Sequence, residues 1–170
     1  TMSSPANNVV LVGMPGAGKS TLGVLLAKAL GYDFVDSDLL IQRRAEQTLA
    51  AYIQSHGYAA LRALEAEVIQ TLVLERTVIA TGGSAVYSVD AMSHLQAMGR
   101  IIYLRCPLAV LRQRIEGAED RGIAAPAGQS LSDIEAERTP LYAGYANLTL
   151  DIGEGDMQAA VTDLVGLLAR

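Results

Sequence analysis

The segment 13-GMPGAGKS-20 constrains the fold of this 170-residue chain more than any other stretch. Its glycine, lysine and serine have the spacing G-x4-G-K-S, the apolar run 9–12 precedes it, and a helical pattern follows it. A strand, a glycine-rich turn and a helix in this order form a P-loop, because backbone N–H groups and the helix N-terminus converge on one anion. The segment therefore predicts a nucleotide phosphate site made of Gly13, Gly16, Ala17, Gly18, Lys19, Ser20 and Thr21.

Two carboxylates near this loop are candidates for metal and acceptor chemistry. The Ser20 hydroxyl can ligate Mg²⁺, and such a site also needs a carboxylate near the end of a neighbouring strand. Asp36 ends a short apolar run and is predicted to hold the metal, directly or through a water, with N-capping of the next helix as the alternative. Asp38 is the candidate for the acceptor hydroxyl, although a plain surface aspartate at a helix start would look the same.

Short apolar runs alternate along the chain with longer segments of helical periodicity. The apolar runs are 9–13, 34–36, 77–82, 100–104 and 147–151, and the helical segments include 21–30, 38–47, 58–75, 89–98, 107–115, 130–143 and 156–169. This alternation predicts an α/β fold in three layers, with a parallel sheet covered by helices on both faces. Gly31 and Ser88 are predicted helix caps, and Ser132 with Glu135 a capping box.

The segment 117-GAEDRGIAAPAGQS-130 carries three glycines, a proline and few large apolar residues. An idle surface loop would have this composition. After a P-loop we favour a mobile lid instead, because phosphoryl-transfer sites close with a segment that carries an arginine, here Arg121.

Composition excludes several classes of protein. A net charge of −5 and a pI of about 5.0 leave no broad basic surface for nucleic acid. The single cysteine, Cys106, cannot form a disulfide framework and suits a reducing cytoplasm. No apolar run approaches the roughly 20 residues that a membrane span needs. We therefore expect one cytoplasmic domain over 1–170, monomeric, with no membrane or nucleic-acid partner.

Several motifs in order resemble the shikimate kinase family over essentially the whole chain. They are 13-GMPGAGKS-20, 36-DSD-38, 61-LRALE-65, 82-GG-83, Arg121 in the lid, and 138-RTPLY-142. The resemblance implies a P-loop kinase of the nucleoside-monophosphate-kinase type, with five parallel strands in the order 2-3-1-4-5. It also implies Mg²⁺-dependent transfer of the ATP γ-phosphate to the 3-hydroxyl of shikimate, a small carboxylated triol.

The resemblance also assigns the acceptor side of the site. Asp38 matches the aspartate that binds the acceptor hydroxyls and is the candidate base. Arg62 and Arg138 match the arginines that hold the substrate carboxylate, a task that suits a guanidinium fork. Gly82 and Gly83 match the turn whose backbone comes close to the substrate.

On the nucleotide side, Lys19 and Arg121 match the groups that stabilise charge on the transferred phosphoryl, together with Mg²⁺. Arg114 matches the arginine that flanks the adenine. Glu65 lies one helical turn after Arg62, and we expect it to orient that arginine.

The chain departs from the family pattern at several positions. Ser84 stands where the family usually carries a third glycine, Leu61 replaces the usual aromatic, and the lid reads 121-RGIAAPAGQS-130. The loop 151-DIGEGDM-157 lacks the family's proline. Two alternatives therefore stay open: a kinase for another small hydroxylated carboxylate, such as a gluconate-type acid, and a catalytically silent nucleotide-binding module.

Overall fold

The computed structural model describes residues 7–116, 128–153 and 155–170. In chain order the elements are β1 (Asn8–Val12), α1 (Lys19–Leu30), β2 (Asp33–Asp36), α2 (Ser37–Ala45), α3 (Leu49–His56), α4 (Tyr58–Gln70), β3 (Thr77–Ala80), a 3-10 turn (Ala85–Tyr87), α5 (Val89–Met98), β4 (Gly99–Arg105), α6 (Leu108–Glu116), α7 (Leu131–Tyr145), β5 (Leu148–Asp151) and α8 (Met157–Leu168). None of these described helices is long and apolar enough to cross a bilayer.

The five strands form one parallel sheet in the order β2-β3-β1-β4-β5, as the resemblance implies. At the centre, Leu11 of β1 pairs with Ala80 of β3 and with Ile102 of β4. All five residues of β1 are buried, because helices cover both faces of the sheet. The chain continues from β1 to strands on one side of it, β2 and β3, and then to strands on the other side, β4 and β5. In parallel sheets with such a change of side, ligands bind in the crevice at the carboxyl ends of the strands.

The main hydrophobic core lies on both sides of the sheet, and a smaller cluster lies under α2 to α4. Members of the main core include Leu22, Ile79, Leu164 and, just after β4, the single cysteine Cys106. The smaller cluster is built on Ile41, Leu61 and Val68. The second cluster packs α2 against α4, which brings Asp38 of α2 and Glu65 of α4 together beside Gly82, just after β3.

Some element ends differ from the sequence prediction. Gly31 and Ser88 cap helices as predicted, but the predicted capping box is wrong by two residues. The box is formed by Ser130 and Asp133, whose side chains each accept from the other's backbone N–H at 3.1 Å. Ser132 therefore lies within the first turn of α7. The predicted helices 38–47 and 58–75 are also too long, and α3 is a separate helix between them.

Candidate active site

The loop between β1 and α1 has the backbone shape that its glycines predict. The φ angle is 151° at Gly13, 87° at Gly16 and 92° at Gly18, a region that residues with side chains rarely adopt. A β-carbon on Gly13 would lie 2.7 Å from the carbonyl oxygen of Leu104 on β4. Because the loop is left-handed at three positions and pressed against a strand, glycine is required at its start.

Lys19 is the first residue of α1, and its side chain is almost wholly buried beneath the loop between β1 and α1. Its ammonium nitrogen donates to the carbonyl oxygens of Gly13 at 2.6 Å and Met14 at 2.9 Å. Burial lowers its pKa from 10.5 to about 8, and an anion beside it would favour the charged form again. Two other residues predicted for phosphate binding lie in the same turn: Ala17 is fully buried and Thr21 is exposed.

Arg114, near the end of α6, connects the phosphate loop with the loop that follows β5. Its Nη1 donates to the carbonyl oxygen of Gly16 at 2.9 Å, and its Nη2 to that of Gly153 at 3.4 Å. A β-carbon on Gly18 would lie 2.3 Å from the terminal methyl carbon of Met157. The arginine predicted to flank the adenine therefore lies beside the phosphate loop, where the chain after β5 reaches it.

Ser20 and Asp36 meet at the carboxyl end of β2. The Ser20 hydroxyl donates to Asp36 Oδ2 at 2.7 Å, and Asp36 Oδ1 accepts from the backbone N–H of Asp38 at 2.9 Å. One carboxylate thus caps α2 and also faces the phosphate loop, so both roles that the sequence left open are compatible. A hydroxyl and a carboxylate oxygen fit Mg²⁺, which is usually held through one or two carboxylates, waters and phosphate oxygens.

Asp38 and Glu65 bring two carboxylates to the backbone of Gly82, just after β3. Asp38 is half-buried in the first turn of α2, and Glu65 on α4 is 3% exposed. A β-carbon on Gly82 would lie 2.2 Å from Glu65 Oε2 and 2.8 Å from Asp38 Oδ1. The Gly82 N–H donates to Ser37 Oγ at 3.0 Å, so the turn is fastened to α2. Any side chain at Gly82 would displace the candidate base.

Glu65 is bonded to the glycine turn rather than to Arg62. The Ser84 hydroxyl donates to Glu65 Oε1 at 2.6 Å, between two buried side chains. Burial raises the pKa of Glu65 to about 7, against the lowering effect of this hydrogen bond. The prediction that Glu65 orients Arg62 is therefore wrong. The carboxylate of Glu65 accepts a hydrogen bond from the hydroxyl of Ser84, and Arg62 lies over the ring of Tyr87.

Arg138 reaches the acceptor side from α7, as the sequence predicts. It is 1% exposed, and its Nε donates to the hydroxyl of Tyr87 at 3.2 Å. A β-carbon on Gly83 would lie 2.8 Å from Arg138 Nη1. One helical turn further, the hydroxyl of Tyr142 donates to the carbonyl oxygen of Gly83 at 2.6 Å. These contacts hold α7 and the glycine turn together.

Arg62 lies beside the Tyr87 ring and does not line the cavity that Asp38 and Arg138 share. Its Cζ is 4.1 Å from the ring centroid of Tyr87 and 5.7 Å from that of Tyr58. It lines a cavity of about 290 Å³ together with Glu65 and Ser84. Sequence reasoning did not single out Tyr87, which lies four residues after Gly83. The signal that could have found it was an aromatic residue close to the glycine turn.

A larger cavity of about 690 Å³ joins the nucleotide side to the acceptor side. Its lining includes Gly16, Gly18, Lys19, Ser20, Thr21, Asp36, Asp38, Leu61, Glu65, Gly82, Gly83 and Arg138. The predicted phosphate, metal and acceptor groups thus share one space, with Arg62 beside it. The predicted lid at 117–130 and its Arg121 lie outside the described residues, except for 128–130.

Comparison with known proteins agrees with this arrangement. The family model described as Shikimate kinase matches residues 15–169. The chain belongs to the shikimate kinase family. It is 39% identical over 148 residues to shikimate kinase 2 of Yersinia pseudotuberculosis serotype O:3 (strain YPIII), covering 84% of this chain and 85% of that protein.

Two solved shikimate kinases share the fold. One is the shikimate kinase from Acinetobacter baumannii in complex with shikimate, with a TM-score of 0.87, 30% identity, and coverage of 96% of this chain and 93% of that one. The other, from Bacteroides thetaiotaomicron, has a TM-score of 0.82 and 27% identity, and the match covers 96% and 99% of the two chains.

Two departures from the usual shikimate kinase pattern fit without strain. Ser84, at the place of the third glycine, has a φ of −94° and a ψ of 0°, the geometry of the third residue of a type I turn, which most residues can adopt. Leu61, at the place of an aromatic, is buried with Ile41 and Val68 and also lines the larger cavity. The backbone of the glycine turn therefore accepts the serine, and its hydroxyl provides a hydrogen-bond donor to Glu65.

Proposed function

We propose that this chain is an ATP-dependent shikimate kinase that phosphorylates the 3-hydroxyl of shikimate. The observation that carries the proposal is the single cavity in which Lys19 lies with Asp38 and Arg138. A phosphate loop alone would serve many nucleotide-binding proteins. A buried arginine and a carboxylate facing the same loop supply what a hydroxylated carboxylate acceptor needs. Membership of the shikimate kinase family selects shikimate among such acceptors.

On the nucleotide side, the glycine loop and the start of α1 would bind the triphosphate through backbone N–H groups. Lys19 would exchange its carbonyl partners for phosphate oxygens and stabilise the charge on the transferred group. Ser20 and Asp36 would hold Mg²⁺, which supplies further neutralisation of the phosphates when it is bound. Arg121 of the lid is proposed for the same charge on the strength of the resemblance.

On the acceptor side, Asp38 would accept a hydrogen bond from the attacking hydroxyl and take its proton as that oxygen bonds the γ-phosphorus and the γ-phosphorus separates from the leaving ADP. Arg138 would pair with the acceptor carboxylate. Arg62 would join it from the neighbouring cavity. Gly82 and Gly83 let the acceptor approach the backbone, because a β-carbon at either position would collide with the site's own side chains. Catalysis would then rest on positioning and charge stabilisation.

The biological setting is part of the proposal. From the length of 170 residues we also propose one catalytic domain over 1–170, acting as a monomer. The single cysteine suits a reducing cytoplasm. Light scattering during gel filtration tests whether the protein is a monomer, and a dimer at micromolar concentration would contradict this proposal.

A coupled ADP-release assay with ATP, Mg²⁺ and shikimate tests the activity, with gluconate and other small hydroxy acids run alongside. We expect saturable turnover on shikimate and none on gluconate. Asp38→Asn is the control variant, because it keeps the size of the side chain and removes the base. Turnover on a different acid would assign another acceptor to the same site. ATP binding without turnover on any acid would make the chain a silent nucleotide-binding module.

A further inference from the structure

The two arginines assigned to the acceptor carboxylate come from different helices, Arg62 from α4 and Arg138 from α7. Two guanidinium groups pair with one small anion only if both are held in register, since a misplacement of about 1 Å can cost as much as a hundredfold in rate. The side chain that contacts both of them is Tyr87, the last residue of the 3-10 turn after Gly83.

Tyr87 contacts Arg62 with its ring and Arg138 mainly with its hydroxyl, since the Cζ of Arg138 lies farther from the ring centroid, at 5.3 Å. Its ring centroid lies 4.1 Å from the Cζ of Arg62, a cation–π contact with the ring face. Its hydroxyl oxygen accepts a hydrogen bond from Nε of Arg138 at 3.2 Å. Because Nε is engaged by Tyr87, the Nη edge of that guanidinium is directed towards Gly83, where Nη1 would be 2.8 Å from an added β-carbon.

The hydroxyl of Tyr87 is itself oriented from the other side. It donates its proton to Oε1 of Glu137 at 2.5 Å. Burial and then this hydrogen bond raise the pKa of Tyr87, so the phenol keeps the proton that it donates. Donation to a carboxylate strengthens the oxygen as an acceptor for Arg138, because hydrogen bonds in a chain polarise one another.

The two residues that precede the 3-10 turn of Tyr87, Gly83 and Ser84, are each hydrogen-bonded to a neighbouring helix. The hydroxyl of Ser84 bonds Glu65 on α4, and the hydroxyl of Tyr142 on α7 bonds the carbonyl of Gly83. The same two helices supply the two arginines. A displacement of the turn would therefore move Tyr87 and both guanidinium groups relative to the acceptor.

We propose that Tyr87 is a positioning residue for acceptor binding, whose ring holds Arg62 and whose hydroxyl holds Arg138. This inference rests on the proposed function, because the anion that the arginines would share is the acceptor carboxylate. Tyr87 does not enter the chemical step, so its loss changes the KM for the acceptor and leaves the KM for ATP and the kcat nearly unchanged.

Two substitutions separate the two contacts. Tyr87→Phe keeps the ring and removes the hydroxyl, and we expect the KM for shikimate to rise about tenfold, as for the loss of one hydrogen bond to a charged group. Tyr87→Leu also removes the ring, and a partly exposed cation–π contact adds roughly another threefold. In an Arg62→Gln background the step from phenylalanine to leucine should become smaller, because the nearer guanidinium is gone and that of Arg138 lies farther away, 5.3 Å from the ring centroid.

Tyr32 offers a matched control. Its ring lies 5.3 Å from the Cζ of Arg76, at the amino ends of β2 and β3 and so at the opposite edge of the sheet from the phosphate loop. Tyr32→Phe and Tyr32→Leu make the same chemical changes away from the site and should leave both KM values as in the wild type. Melting temperatures of all variants report any loss of folding.

The outcomes are distinguishable. An unchanged KM for shikimate in Tyr87→Phe overturns the positioning role, and a KM that falls in Tyr87→Leu would mean that the ring competes with the acceptor for Arg62. Equal rises in the KM for ATP and for shikimate would indicate a general structural role and also overturn it. If the wild type neither binds nor phosphorylates shikimate, the proposed function fails first and this inference with it.

Discussion

Replacing Glu65 by glutamine tests the electrostatics of the acceptor wall directly. The substitution keeps the shape of the side chain and an oxygen that can accept from Ser84, and it removes only the charge. Burial raises the pKa of Glu65 from 4.5 to about 7. For a fully buried group this corresponds to roughly 3 kcal/mol against the ionised form in the native state.

The sign of the effect follows from proton binding. Below pH 4.5 the carboxyl is protonated in both the native and the unfolded chain. Between pH 4.5 and about 7 the native chain keeps a proton that the unfolded chain has released, so the free energy of unfolding decreases as the pH rises. Above about 7 both forms are ionised and the decrease ends. Across this pH range the free energy of unfolding of the wild type therefore decreases by about 3 kcal/mol because of Glu65, and that of Glu65→Gln does not.

Urea unfolding followed by far-UV circular dichroism at pH 5, 6, 7 and 8 measures this difference. We expect the variant to be more stable than the wild type by less than about 1 kcal/mol at pH 5 and by about 3 kcal/mol at pH 8. Glu67→Gln on the same helix is the matched control, because it makes the same chemical change at an exposed carboxylate that pairs with Arg44 of α2. If the difference in the free energy of unfolding between Glu65→Gln and the wild type is constant from pH 5 to 8, burial does not raise the pKa of Glu65 and this reasoning is refuted.

Three further substitutions test the site. Lys19→Ala should abolish turnover in the ADP-release assay, because its ammonium is the cation beneath the phosphate loop; near-normal rates would remove the P-loop assignment. Arg138→Ala should cost about 2–4 kcal/mol of charge-assisted bonding, seen as a raised KM for shikimate; a selective loss of ATP binding would place this arginine on the wrong side. Gly82→Ala should lower kcat/KM by roughly a hundredfold, because its β-carbon would lie 2.2 Å from Glu65 Oε2. Gly144→Ala is its control: nothing lies within 4 Å, and the exposed α7 position should gain about 0.5–1 kcal/mol in stability with activity retained.

The loop 13–20, the strand-helix alternation and the helix caps at Gly31 and Ser88 were predictable from the sequence. Each depends on interactions within a few residues: glycine spacing sets the loop, periodicity sets the elements, and side chains bond to nearby backbone groups. The strand order came from the resemblance to the shikimate kinases, because periodicity does not say which strands are neighbours.

The same local rules were ambiguous where two patterns competed. Ser130 with Asp133 and Ser132 with Glu135 both have the spacing of a capping box, and the structure selects the first. The sequence left two roles open for Asp36, metal binding and capping of α2. The fold allows both because the end of β2 lies beside the start of α1.

The partners across the acceptor wall were decided by tertiary structure alone. Ser84 and Glu65 are 19 positions apart, and Tyr87 and Arg138 are 51 apart. The one-turn spacing of Arg62 and Glu65 predicted a pair on α4, but the serine hydroxyl and the tyrosine ring reach them from another element and are better placed. Helix spacing specifies which side chains share a face; what that face meets depends on how α4, α7 and the glycine turn pack at the carboxyl edge of the sheet.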